Sequence, residues 1–180
     1  MKNQFFLLIF FLFSFKIIYA QNSEQKFIYE IVNQVIKNEN LNKNFGLIKK
    51  PFKENSENND ELILQKYLIK ESNSNQESEN LITEISFPNK NVLTKNDVSE
   101  MLRFKEKNRK LKWKNKFLKF NQKNTENRYQ FSIPFVNKDK SKIIIQYELL
   151  CSELCGNGKT LFLTKENQNW KITTFEIWMH

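Results

Sequence analysis

The stretch Lys142–His180 constrains the fold of this chain more than any other. It holds both cysteines, two of the three glycines, two of the three tryptophans and the single histidine. From Lys142 to Leu150, Ile143, Ile145, Tyr147 and Leu149 fall on every second position, the period of a strand that buries one face. Lys159–Lys165 reads as a second strand and Trp170–Trp178, past a turn at Glu166–Asn169, as a third. Consecutive strands joined by short turns pair antiparallel. The segment therefore predicts three antiparallel strands turning on a Cys/Gly-rich bend at Cys151–Gly158.

Upstream, Arg128–Val136 alternates as well, which predicts Tyr129, Phe131, Ile133 and Phe135 on one face. Pro134 lacks an amide donor and points to an edge strand or a strand end. Leu81–Phe87 predicts a further strand, closed by Pro88. Thr94–Asn108 predicts a short amphipathic helix. Thr94 and Asp97 form a capping box, Val98, Met101, Leu102 and Lys105 recur at helical spacing, and the basic end suits the negative pole of the helix dipole. Asn22–Lys37 predicts another helix, with Phe27, Ile28, Ile31, Val32, Val35 and Ile36 in one stripe. Glu61–Lys70 is apolar enough to be ordered, but its period does not separate strand from helix. Leu111–Phe120 is a strand or a loop packed onto the domain. Polar stretches near 53–60 and 71–80 predict mobile loops. The expected class is α+β: an N-terminal helix and a second short helix packed on a mostly antiparallel C-terminal sheet.

The first 20 residues have the layout of a secretory signal peptide. Lys2 is followed by an unbroken apolar run from Phe5 to Phe13, with the small Ala20 before polar Gln21. That run is too short for a spanning helix of about 20 residues. Lys16 and Ile18 are poor cleavage-site residues, so an uncleaved membrane anchor is the competing expectation. A chain from Gln21 to His180 suits one domain with its own core, in the periplasm or outside the cell, with no transmembrane segment after cleavage.

The charge is local. Of a net formal +9, Lys2 and Lys16 belong to the leader. Arg103–Lys123 alone carries ten Lys or Arg against Glu106, so the remainder of the exported chain is slightly acidic. Arg103, Lys105, Lys107, Arg109, Lys110, Lys112, Lys114, Lys116 and Lys119 are interleaved with Trp113, Phe104, Phe117 and Phe120. Cations interleaved with rings can hold a polyanion, the cations on phosphate or sulfate and the rings stacking. The competing reading makes the rings core and the lysines a solvated face. Outside the cytoplasm the candidate ligands are lipid headgroups, acidic polysaccharide or extracellular DNA, and no cytoplasmic nucleic acid.

Cys151 and Cys155 are spaced C-x3-C and followed by Gly156 and Gly158. In an exported chain they can bridge and fix the bend, with the glycines expected to supply positive φ. A redox pair wants C-x-x-C at a helix start, and a metal site wants more ligands than one terminal histidine adds. Cys155–Thr160 is only superficially like a phosphate-binding loop, since no helix follows it. Asp139, Glu148, Glu153 and Glu176 show no spacing that pairs two carboxylates for hydrolysis. No catalytic residue, cofactor or metal ligand is assigned.

Ser132, Pro134 and Phe135 (S-I-P-F), then a strand, then Cys151, Leu154, Cys155, Gly156 and Gly158, then a closing strand begun by Trp170 and Lys171, together resemble small exported flavobacterial-type proteins of unknown function. Their shared pattern is S-x-P-x-F, C-x-x-L-C-G-x-G and W-K, and the Thr94–Asp97 helix start and Lys112–Trp113 are similar too. The resemblance implies export and brings no catalytic residue. A nuclear-transport-factor-like cone fits the element order by analogy. The expected function is a non-enzymatic module that binds an envelope protein, lipid or glycan. The alternatives are a small envelope hydrolase or thiol-redox protein using the bend, or polyanion binding through Arg103–Lys123.

Overall fold

The computed structural model describes residues 23–51, 57–68, 92–123, 126–151 and 156–179. The expected leader, the loop at 71–80 and the strand at Leu81–Phe87 lie outside them. The described residues fall into two compact units. One comprises residues 23–41 with Lys116–Leu118; the other comprises Asn42–Asn115 and the chain from Lys119 onward.

In the first unit, helix α1 runs over residues 23–38, one residue from its predicted span. Ile28, Ile31, Val32, Val35 and Ile36 are buried, as the stripe predicts, whereas Phe27 is only partly covered. The Asn33 side-chain amide donates to the carbonyls of Tyr29 (3.0 Å) and Phe117 (3.2 Å). The Tyr29 and Phe117 rings meet at 4.7 Å.

The second unit is α+β. Its elements are β1 (Gly46–Leu47), α2 (Glu57–Gln65), α3 (Lys95–Asn108), α4 (Asn115–Leu118, whose last three residues belong to the first unit), β2 (Arg128–Phe131), β3 (Phe135–Val136), β4 (Lys142–Leu150), β5 (Asn157–Glu166) and β6 (Asn169–Met179). The sheet runs β1-β2-β4-β5-β6, with β3 also on β4. Only β1–β2 is parallel; the other named pairs are antiparallel. Helix α2 starts at Glu57, so residues 57–60 of the expected 53–60 loop are helical. The ambiguous 61–70 stretch continues that helix to Gln65 and then makes a bridge from Leu68 to Leu93.

One extra residue explains how this sheet differs from its reading. Phe131 pairs with Tyr147 and Phe135 with Ile144. Four steps on one strand thus match three on β4. The ladder is kept at Ser132, whose N–H donates to Gln146 O (2.9 Å) and whose hydroxyl accepts the Gln146 N–H (3.0 Å). It lapses at Pro134, which has no N–H. An odd residue moves every later side chain to the opposite face. Tyr129 and Phe131 therefore share a face with Tyr147, while Phe135 shares the other with Ile144, correcting the expectation that all four alternating residues point one way. β4 is buried on both sides: Ile143, Ile145 and Tyr147 on one, Ile144 and Gln146 on the other.

The Ile144 face carries the main core. Ile63, Leu64 and Tyr67 from α2 and its exit, Leu93, and Val98 and Met101 from α3 close over Phe135, Ile144, Phe162 and Phe175. Phe175 is itself the extra residue of a β-bulge opposite Thr160/Leu161, and it stacks on Phe162 at 4.9 Å and 19°. Helix α3 starts at the predicted capping box: the Asp97 N–H donates to Thr94 Oγ1 (3.1 Å) and the Thr94 N–H to Asp97 Oδ2 (3.0 Å).

The bend glycines do not act as predicted. Neither described glycine near the bend has positive φ. Gly158 lies inside β5, directly opposite Trp178. A Cβ there would stand 2.2 Å from the Trp178 ring, so the residue is small because an indole covers it. Positive φ is instead borne by Asn40, Lys119, Lys140, Asn167 and Gln168. The last two form the two-residue β5–β6 turn, with φ of 47° and 68°. Such a turn favours Asn-Gly, because a side chain beyond Asn is strained at the second position. Gln168→Gly is expected to raise the urea midpoint, adding about 1 kcal/mol of stability; an unchanged or lower midpoint contradicts the turn.

Candidate polyanion-binding surface

The basic stretch is held at the β1 edge by a backbone lattice. On one side of the short β1 segment, Gly46 N–H donates to Asn127 O (2.7 Å) and Ile48 N–H to Tyr129 O (2.9 Å). On the other, Trp113 N–H donates to Lys49 O (2.8 Å), and Asn121 N–H is shared between Lys43 O (2.9 Å) and Phe45 O (3.0 Å). Residues 42–50 thus run between β2 and the chain around Trp113 and Asn121.

Trp113 anchors this arrangement. It is 1% exposed, meets Phe131 edge-on at 6.3 Å and 75°, and donates its indole N–H to Phe131 O at 3.1 Å. Phe120, 3% exposed, packs on Tyr129 (5.5 Å) and Phe131 (6.2 Å), and these rings continue to Tyr147. Burial pushes the Tyr129 phenol above its ordinary pKa, and a hydrogen bond with the Asn42 backbone partly offsets that. The turn from Asn115 to Phe120 is clasped by Asn115, whose Oδ1 accepts the Phe120 N–H (2.8 Å) and whose Nδ2 donates to Phe120 O.

The backbone at Leu111–Lys114 is not helical, and at Lys114 it is extended (φ −105°, ψ 114°). Successive side chains in extended chain alternate. With Trp113 turned into the core, Lys112 and Lys114 turn outward, and both are exposed. Lys110, Lys119 and Lys123 are exposed too, as are Arg103 and Lys107 on α3. Arg109 pairs with Glu106 at 3.0 Å. Lys116 belongs to the first unit, its ammonium 4.8 Å from the centre of the Phe117 ring.

Two residues leave the predicted binding set. Trp113 is buried and cannot stack on a ligand. Lys105 is turned inward, its ammonium on the Asp60 carboxylate and 4.1 Å above the Phe135 ring. Three exposed lysines that the sequence reading did not single out, Lys43, Lys49 and Lys50, lie on the segment that this stretch bonds to. The pair Lys49–Lys50 is the sequence trace of them, but only the hydrogen bond from Trp113 places it beside Lys112 and Lys114.

The other constellations come apart or close up. Asp139 lies in the turn before β4, accepting from Ser141 Oγ at 2.7 Å, while Glu148 lies near the far end of that strand. About six residues of strand separate them, some 20 Å. Glu176 is 3.5 Å from Lys66. Glu153 and Cys155 lie outside the described residues. Cys151 follows β4, half-buried, and no free cysteine occurs among the described residues.

At the opposite end of β4 a polar clasp joins α3 to the sheet. Lys142 Nζ reaches Asp97 Oδ2 (2.9 Å) and Val92 O (3.0 Å), and Asn137 Nδ2 reaches Asp97 Oδ1 (3.0 Å). Burial on its own would raise the Asp97 pKa. Hydrogen bonds from Lys142, the Thr94 backbone, Asn137 and the Thr94 hydroxyl outweigh it and lower it from 3.8 to about 2.

No protein-family model, curated protein or solved structure matches the chain. No helix among the described residues is long and apolar enough to cross a membrane.

Proposed function

We propose that this protein is an exported, non-enzymatic binding module, periplasmic or extracellular, that holds an envelope polyanion on the surface of the second unit around Lys112 and Lys114. The reading takes residues 1–20 as a cleaved leader and the chain as one of the small exported proteins its C-terminal pattern resembles. It takes Cys151 and Cys155 as a bridge that fixes the β4–β5 bend. The observation that carries it is the division of labour around Trp113. Its ring is sunk in an aromatic core while Lys112 and Lys114 on either side are exposed. Cations on a rigid, well-anchored segment lose less freedom on binding than cations on a mobile one.

Retention on a heparin column tests it. Wild type is expected to elute well after a neutral protein of similar size, and Lys112→Ala/Lys114→Ala clearly earlier than wild type. Wild type eluting with the neutral protein removes the reading.

A further inference from the structure

We infer that the second unit carries a further site, sharing no residue with the basic stretch, that takes the hydroxyl groups of a neutral sugar. It lies on the Ile144 face of β4, β5 and β6, toward the bend. Residues directly opposite on an antiparallel ladder point to one face. Past the Ile144–Phe162 pair, the next two rows on that face are Gln146–Thr160–Glu176 and Glu148–Gly158–Trp178. Core side chains of α2 and α3 close over Ile144 and Phe162. The two rows beyond are polar apart from one glycine and one indole. Their burial is that of a recess: Thr160 and Gln146 are 0% and 5% exposed, while Glu148, Glu176 and Trp178 around them are half-buried.

The floor of that recess holds an unused acceptor. Gln146 Nε2 donates to Thr160 Oγ1 (3.2 Å), but Gln146 Oε1 accepts no hydrogen bond among the described residues. A buried polar atom left without a partner is destabilising, and an apolar side chain of the same length avoids the cost. A donor from outside the chain accounts for a glutamine at this place.

The neighbours of that oxygen define what the donor belongs to. Glu148 and Glu176 bring carboxylates, which only accept, and Glu176 also lies 3.5 Å from Lys66. The Trp178 indole lies over Gly158, where a Cβ would stand 2.2 Å from it, and adds an N–H donor and a flat apolar ring. Three strands set these groups across about 10 Å. The set fits a ligand with several O–H donors, acceptors for the indole N–H, and an apolar face, which a pyranose combines. A hydroxyl also satisfies the Gln146 amide whichever way that amide is turned, since it donates and accepts. An alkylammonium ion meets the carboxylates but offers the indole N–H nothing.

Calorimetric titration with maltotetraose, cellotetraose, chitotetraose and butylammonium tests the site. Wild type is expected to bind at least one of the sugars. Gln146→Leu is expected to keep its urea midpoint, because it removes the unused acceptor, and to bind that sugar about tenfold more weakly. Trp178→Leu, on the rim, is expected to weaken the sugar by about tenfold as well, through the lost ring face. Glu148→Gln, which still offers an acceptor, is expected to change it only a few-fold. Failure of wild type to bind any of the three sugars, or wild-type affinity in both Gln146→Leu and Trp178→Leu, overturns the site. Butylammonium bound more tightly than every sugar and lost in Glu148→Gln overturns the ligand class. The polyanion reading is judged apart from this one: Lys112→Ala/Lys114→Ala is expected to leave sugar binding unchanged, and Gln146→Leu to leave heparin retention unchanged.

Discussion

Trp113→Ala is expected to cost about 3–5 kcal/mol of unfolding free energy, the range for truncating a fully buried tryptophan. The indole fills the space beside Phe131, and its loss also strips Phe131 O of its donor. Trp113→Phe separates the two effects. It keeps most of the ring contact but leaves a buried carbonyl unpaired, for a cost of about 1–3 kcal/mol. Urea unfolding, with the slope against denaturant unchanged, measures both. A loss below 1 kcal/mol for the alanine variant contradicts a buried Trp113 and returns the ring to the ligand-binding set.

Asp97→Ala is expected to cost about 2–4 kcal/mol. It removes the capping box, worth about 1 kcal/mol, and takes the carboxylate acceptor from Lys142 and Asn137, which keep only Val92 O and Ser141 Oγ. In a chain of this length that is a fall in Tm of about 5–15 °C. The pH dependence has a definite sign. The folded-state pKa, about 2, lies below the ordinary 3.8. The stabilisation is therefore complete above about pH 4–5 and is lost as the pH falls toward 2, in total about 2 kcal/mol. Asp97→Asn is expected to lose that acid-dependent component. Stability curves of wild type and Asp97→Asn that run parallel from pH 6 to pH 2 contradict the clasp.

The parts of the fold that a local rule determines were legible in the sequence. The Thr94–Asp97 box places the start of α3 because cap chemistry is contained within four residues. The stripe of α1 and the strands β4, β5 and β6 follow from their apolar periods. The faces of Phe131 and Phe135 were not legible, since a single extra residue at Ser132–Pro134 reverses alternation without changing composition. β4 hid its two-sided burial because the alternation of Ile143, Ile145, Tyr147 and Leu149 marks one buried face, while Ile144 and the polar Gln146 are buried on the other. Gly158 read as a turn residue when its constraint is the ring of Trp178, twenty residues away in sequence but directly across the ladder.

The basic surface was half legible. Ten cations in Arg103–Lys123 announce it, but their number does not say which of them reach solvent. Lys105 spends its charge on Asp60, and Trp113 belongs to the core. The nearness of Lys49 and Lys50 to that stretch depends on a hydrogen bond between segments more than 60 residues apart, a pairing no local pattern encodes. The low glycine content left a related mark: lysine, asparagine and glutamine occupy the left-handed turn positions that glycine holds more cheaply.

The central claim is that anchored lysines around Trp113 bind a polyanion by charge, and the salt dependence of wild-type affinity for a heparin fragment tests it most directly. With four or more cations engaged, log K is expected to fall with log salt at a slope of about −3 or steeper. A slope near zero, or no binding at low salt, contradicts it.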